Sequence, residues 1–222
     1  MATRETQNLI IDTAITLFNE HGTKAISTNR IADECHLSRG NLHYHFRTKE
    51  EIIQTIFQNI DREMGESWYE DHEHPTMEHT HFMFARQIEL FWRYRFFYRE
   101  LNSLLQNDAR LKLLFMDSRK KRIKEVALFF AELVKVGLMV EPEPPISMTS
   151  LLQVSWLLTD QWLPHLDMHD KTVNEENIEE GFNLIMQVFA PYFTPKAKTE
   201  YQSIIDRQDR LKLVSNNQKR CS

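Results

Sequence analysis

Cysteine is nearly missing from this 222-residue chain. The two present, Cys35 and Cys221, supply no disulfide framework and suit a reducing compartment. Five glycines leave few positions for tight turns or strand bulges, and they argue against a turn-rich β architecture. No apolar run is long enough to span a bilayer, and Met1-Ala2-Thr3-Arg4-Glu5 leads into an amphipathic stretch and not into a signal-peptide core, so a cytoplasmic location is expected. No HExxH spacing, Gly-rich phosphate loop or nucleophile elbow is found, and catalysis is not expected. What remains is 41% hydrophobic and 27% charged, rich in helix formers, and the expectation is an all-α protein.

The net charge of -5 excludes an indiscriminate nucleic-acid coat, but the charge is unevenly spread. Six Lys and Arg face five Asp and Glu within residues 1–49, so the acidity lies in the remainder. That distribution fits contact with DNA through a few placed cations and weak non-specific affinity.

The informative stretch is Ser38-Arg39-Gly40-Asn41-Leu42-His43-Tyr44-His45-Phe46. At about 100° per residue, Leu42 and Phe46 share one face, while Gly40 and Tyr44 lie opposite, flanked by Asn41 and His43. The apolar pair anchors the helix and leaves the other face free. Ser38 is suited to cap the N-terminus, which leaves a positive helix end beside Arg39 for a phosphate or a base edge. These are the properties of a recognition helix.

Upstream, Ile10, Ala14 and Leu17, widened by Ile11, Ile15 and Phe18, predict a first helix that stops at Gly22. Ser27 is a plausible cap for a second helix, whose Ile31, Ala32 and Cys35 repeat at core spacing. Downstream, Thr48 and Glu51 predict a capping box, followed by Ile53, Ile56, Phe57, Ile60 and Met64 on a fourth, longer helix.

These elements resemble the DNA-binding domain of the TetR family of bacterial transcriptional regulators over residues 6 to 57. The carriers are Ile11-Asp12-Thr13-Ala14, Leu17-Phe18, His21-Gly22, Ile31-Ala32, Leu37-Ser38-Arg39-Gly40-Asn41-Leu42, Tyr44-His45-Phe46 and Lys49-Glu50-Glu51. His36 stands where the helix-turn-helix commonly has glycine, and histidine tolerates a left-handed backbone better than most residues. His43 stands where the family often has tyrosine. The resemblance implies a helix-turn-helix head (residues 1–48), a helical effector-binding and dimerisation body (49–195) and a polar tail (196–222). It also implies that the fourth helix moves the head. Arg39, Asn41, His43 and Tyr44 are then expected at the major groove, with Ser38, His45 and Lys49 nearer phosphates, Ser27 or Thr28 touching the DNA backbone, and Gly40 also among the DNA-binding residues.

Residues 70–81 read as a connection broken at Pro75, with Thr76 a candidate cap. His72, His74, His79 and His81 raise an alternative, a helical metalloprotein using this cluster with Glu73 or Glu78; a solvated acidic loop explains them more simply, so neither metal nor cofactor is expected. A third reading, a helical protein-binding adaptor, treats His43 and Tyr44 as an interface patch.

From Phe82 to Met139 the chain reads as helices dense in aromatic residues, which serve as core or line a cavity for an apolar or aromatic effector. Phe91, Trp92, Tyr94, Phe97 and Phe129 are candidate lining residues, and Gln153 a candidate polar contact. The run Arg119-Lys120-Lys121-Arg122-Lys124 reads as a solvated helix face. After Glu141-Pro142-Glu143-Pro144-Pro145, two helices are predicted, Ser147 to Leu163 stopped by Pro164, and Asn174 to Phe193 stopped by Pro195. By the resemblance they form the dimer bundle, through Leu152, Trp156 and Thr159 on the first and Ile178, Phe182, Ile185 and Phe189 on the second. The expected function is a homodimeric regulator of a pseudo-palindromic operator, modulated by a small effector. The tail is expected to be a short helix, Tyr201 to Leu213, or disordered.

Overall fold

A computed structural model describes residues 2–66 and 75–220. Among these residues it is built of helices, with one isolated antiparallel bridge between Met139 and Phe193. In chain order the helices are α1 (Ala2–His21), α2 (Thr28–Glu34), α3 (Arg39–His45), α4 (Lys49–Glu66), α5 (Met77–Arg93), α6 (Arg95–Arg99), α7 (Leu101–Asn107), α8 (Ala109–Lys135), α9 (Met148–Met168), α10 (Glu175–Phe189) and α11 (Pro195–Arg220).

The head forms as its caps and apolar stripes predict. Ile10, Ala14, Leu17 and Phe18 of α1 are buried against Ile31 and Ala32 of α2 and Leu42 of α3. Gly22 ends α1 at φ +77, a conformation that costs glycine little. His36 takes the left-handed turn between α2 and α3 at φ +55, as the sequence leads one to expect. Cys35 is buried at that turn, and desolvation pushes its thiol pKa up. At the start of α4 the Thr48 hydroxyl accepts the Glu51 amide at 3.2 Å. The reciprocal bond goes one residue further back, from the Arg47 amide to the Glu51 carboxylate at 2.7 Å.

One apolar core runs from the head into the body, from Ile10 to Ile204. Helix α4 carries it across with Ile52, Ile53, Ile56, Phe57 and Ile60. Within the aromatic-rich block the chain breaks at Glu100 into the short helices α6 and α7. Helices α9 and α10 cross closely at Gly181, where a Cβ would lie 2.5 Å from the Trp162 indole nitrogen; that indole donates to the Asn177 carbonyl at 2.7 Å.

Three further boundaries differ from expectation. Pro164 does not stop α9, which continues to Met168. Leu163 and Leu166 on either side of it are fully buried, and that packing outweighs the lost backbone bond. Helix α10 ends at Phe189 and passes through a 3₁₀ turn, Ala190–Tyr192. The tail is helical from Pro195, because Ala197 and Ile204 are buried and α11 packs on α5.

Candidate nucleic-acid interface and body cavity

Helix α3 is short and anchored by one buried side chain, Leu42, with Phe46 buried just beyond its end. The Ser38 hydroxyl accepts the Asn41 amide at 3.1 Å, and the Ser27 hydroxyl does the same for Arg30 at 3.2 Å. Both caps hold their helix N-termini outward. Arg39, Gly40, Asn41, His43 and Tyr44 are exposed, and Tyr44 is 79% exposed with its ring edge-on to His45 at 5.2 Å. So large an exposed aromatic on an otherwise polar face leaves most of its surface open to solvent. Thr28 is half-buried beside Ser27.

Lys49 is less free than the sequence suggests. Its ammonium donates to the carbonyls of Thr23 at 2.6 Å and Ile26 at 3.0 Å, tying the α1–α2 connection to the start of α4. Two of its three donors are thereby committed.

The body holds a cavity of about 110 Å³ between α4, α5, α6, α8, α9 and α10. Its apolar wall includes Phe57, Phe84, Phe91, Phe97, Phe115, Phe130 and Trp156. Its polar groups are Asp61, Gln87, Tyr98, Ser118, Arg119, Arg122, Ser155 and Thr159. Arg119 donates to Asp160 at 2.6 Å, with its guanidinium 4.9 Å from the rings of both Phe115 and Trp156. Burial raises the Asp160 carboxyl above its ordinary pKa, an effect the Arg119 charge offsets only in part. Arg122 is 4% exposed and pairs with Glu125. It also donates to the Asp61 carbonyl and carboxylate, both at 3.2 Å. The Ser118 hydroxyl donates to the same carboxylate at 2.5 Å.

The model of bacterial regulatory proteins of the tetR family matches residues 10–56, and a second model, described as TetR, bacterial transcriptional repressor, matches residues 59–201. The chain belongs to the TetR family. AcrR, a helix-turn-helix transcriptional regulator of Shigella flexneri, is 30% identical over 63 residues, which is 28% of this chain and only 29% of AcrR. A TetR-family regulator from Marinobacter aquaeolei VT8 has a solved structure similar to this one at TM-score 0.79 and 27% identity, covering 90% of this chain and 97% of that one. A TetR transcription regulator from Haloarcula marismortui ATCC 43049 shares the fold at TM-score 0.67 and 13% identity, covering 86% of this chain and all of that one. This TetR-family regulator therefore carries its helix-turn-helix in α2 and α3.

The expected effector residues separate. Phe91 and Phe97 line the cavity. Tyr94 does not: it is fully buried, and its hydroxyl donates to Glu63 at 2.7 Å. Trp92 lies in a groove between α1 and the body, with Arg95 4.3 Å above its ring. Phe129 is buried away from the cavity lining, and Gln153 is exposed on the outer side of α9. The basic run is not a uniform solvated face, because Arg119 and Arg122 turn inward while Lys120, Lys121 and Lys124 stay outside. Helical spacing carries the missed signal: Arg122 falls in register with buried Leu111, Val126, Phe129 and Leu133.

The stripe expected at the dimer interface also faces inward. Leu152, Ile178, Phe182, Ile185 and Phe189 are buried within the chain, and half-buried Trp156 and Thr159 line the cavity. The apolar residues that α9 leaves outside are Val154, Leu157 and Met168, at 46%, 65% and 72% exposure. Of the histidine cluster, His72 and His74 lie outside the described residues. His79 completes a capping box with Thr76, and the His81 ring lies 5.8 Å from that of Tyr201. Among the described residues no group of three metal-ligating side chains comes together, and no helix is long and apolar enough to cross a membrane.

Proposed function

We propose that the regulator binds a pseudo-palindromic operator as a two-fold dimer, and that a small, largely apolar or aromatic effector in the body cavity sets its affinity for DNA. The observation that carries the DNA reading is the outward face of α3, where Arg39, Asn41, His43 and Tyr44 are exposed around a single buried anchor. Arg and Asn make bidentate contacts to base edges worth about 1–3 kcal/mol each. Ser27, Thr28, Ser38 and His45 are left for the backbone, with one donor of Lys49. One such helix grips too few base pairs for genomic specificity, so a second copy is required, with half-sites roughly 34–36 Å apart or a multiple of it.

The dimer reading rests on the outer surface of α9, where Val154, Leu157 and Met168 follow helical spacing beside Gln161. Exposed apolar residues aligned on one long helix favour a matching copy across a two-fold axis. The effector reading rests on a cavity walled by aromatic side chains and bordered by α4, the helix that leads to the head.

The test is selection of duplexes from a random library by the full-length protein. The enriched sequence should be a pseudo-palindrome, and Arg39→Ala should relax preference at one or two positions per half-site. Absence of any enriched sequence would overturn the reading.

A further inference from the structure

The cavity has a polar side where α8 meets the second half of α4. The Arg122 guanidinium rests against Gly65, where a Cβ would lie 3.1 Å from it, and it bridges Glu125 of its own helix to Asp61 of α4. One of its donors is unused, because the Arg122 Nε is sealed from solvent and has no hydrogen-bond partner. Nearby on α4, one turn beyond Asp61, the Met64 thioether accepts the hydroxyl of buried Tyr98 at 3.6 Å. A thioether is a weak acceptor, so this hydroxyl too is poorly served. Buried donors without good acceptors are uncommon in folded proteins, and each carries the cost of its lost hydration. Both residues line the cavity.

The local charges narrow what would meet those donors. Arg119, Arg122 and the more exposed Lys121 are opposed by Asp61, Glu125 and Asp160. The three cations and three carboxylates already balance. A further ion of either sign would upset that balance beside Asp160, whose carboxyl burial already raises above its ordinary pKa. An ammonium would bring only more donors and leave Arg122 Nε unmet. A neutral oxygen meets the need without adding charge.

The size narrows it further. A cavity of about 110 Å³ is of the order of the ~150 Å³ apolar cavity that takes benzene. Its walls supply rings from several helices for offset or edge-on packing.

We propose that the effector is a neutral aromatic carbonyl compound of about one ring, such as an aryl ketone, ester or amide, whose oxygen accepts from Arg122 Nε and Tyr98. The inference rests on the cavity being the effector site. It adds the charge, the functional group and the residues that read it.

The experiment uses full-length protein and four single-ring probes: toluene, acetophenone, benzoate and benzylammonium. Dissociation constants come from NMR titration, with the Trp156 indole shift reporting entry into the cavity. Acetophenone should bind about tenfold tighter than toluene, and tighter than either ion. Arg122→Lys, which keeps the charge and removes Nε, should bring acetophenone close to toluene. Tyr98→Phe should remove part of the same advantage, and it decides the matter if Arg122→Lys does not fold. Equal binding of toluene and acetophenone, or tightest binding of benzoate or benzylammonium, overturns the carbonyl proposal and leaves the cavity as the effector site. Failure of all four probes to shift Trp156 in a folded, operator-binding protein overturns the proposal together with the cavity reading.

Discussion

Glu100 holds Thr23 with both carboxylate oxygens: one accepts the Thr23 amide at 2.9 Å, and the other its hydroxyl at 2.5 Å. The two residues lie on opposite sides of the joint between head and body. Beside them, Asn19 donates to the Arg93 carbonyl at 2.9 Å and accepts the Phe96 amide at 3.0 Å. The Phe18 and Phe96 rings pack with centroids 5.2 Å apart. The end of α1 is therefore pinned to the α5–α6 corner, a second joint besides α4. Glu100→Ala leaves the buried Thr23 without its acceptors and should cost about 1–3 kcal/mol in urea unfolding. Thr23→Val removes only the hydroxyl bond and should cost less. Equal, negligible losses would show that this contact does not hold the head.

Lys49 distinguishes a structural cation from a phosphate contact. With its ammonium on the carbonyls of Thr23 and Ile26, Lys49→Ala should lower stability by about 1–2 kcal/mol. It should also weaken binding to all DNA sequences alike, since the loop it ties precedes Ser27 and Thr28. A flattened salt slope with unchanged stability would instead assign the ammonium to a phosphate.

Much of the head was readable because its signals are local. Ser27 and Ser38 cap within three residues of themselves, Gly22 sits in its left-handed turn, and Leu42 is an isolated apolar residue on a polar helix. The body resisted for the opposite reason. Helix α9 carries Leu151, Leu152, Val154, Trp156, Leu157 and Leu158 around most of its circumference, so periodicity alone does not say which side meets the core and which meets solvent. Burial on one side by α10 and α6 decides it. Residue type alone points Tyr94 to the cavity, but Glu63, distant in sequence, draws its hydroxyl elsewhere. Arg122 was hidden in a charge run, because the carboxylates that admit it to the interior, Asp61 and Glu125, come partly from another helix.

The outer side of α9 can be tested against its inner side. Leu157 is 65% exposed in a single chain, so Leu157→Glu should leave the monomer fold intact while placing a charge in the proposed dimer contact. Light scattering should then report monomers at micromolar concentration, with operator affinity much reduced. Trp156→Glu, directed at the cavity, should impair effector binding before it impairs assembly. The reverse pattern would return the interface to the inward stripe.

Asp160 supplies a pH dependence. Its folded-state pKa is raised, chiefly by desolvation, so the folded chain binds that proton more readily than the unfolded one does. The associated stability is present below the unfolded value and is lost as pH rises through the folded one. Asp160→Asn removes this titration. Its stability relative to wild type should therefore rise between pH 4 and pH 7, as followed by urea unfolding at each pH. A flat or falling difference would mean that Arg119 fully neutralises the burial cost.

An effector must favour one head arrangement over the other to act at all, because a ligand with equal affinity for both shifts nothing however tightly it binds. A tenfold change in operator affinity needs about 1.4 kcal/mol of coupling. The structure offers two routes for it. Arg122 links the cavity to α4 through Asp61, and Phe97 links it to α6, whose Phe96, with Arg93 at the end of α5, holds Asn19. Whichever route carries the signal, reciprocity requires operator DNA to change effector affinity by the same factor. Effector affinity should therefore be measured with and without saturating operator, in wild type and in Glu100→Ala. Wild type should show a matched factor in both directions, and Glu100→Ala a smaller one if the α1–α6 joint contributes. Identical effector affinity with and without operator in the wild-type protein would make the bound compound a passenger, whatever its fit to the cavity.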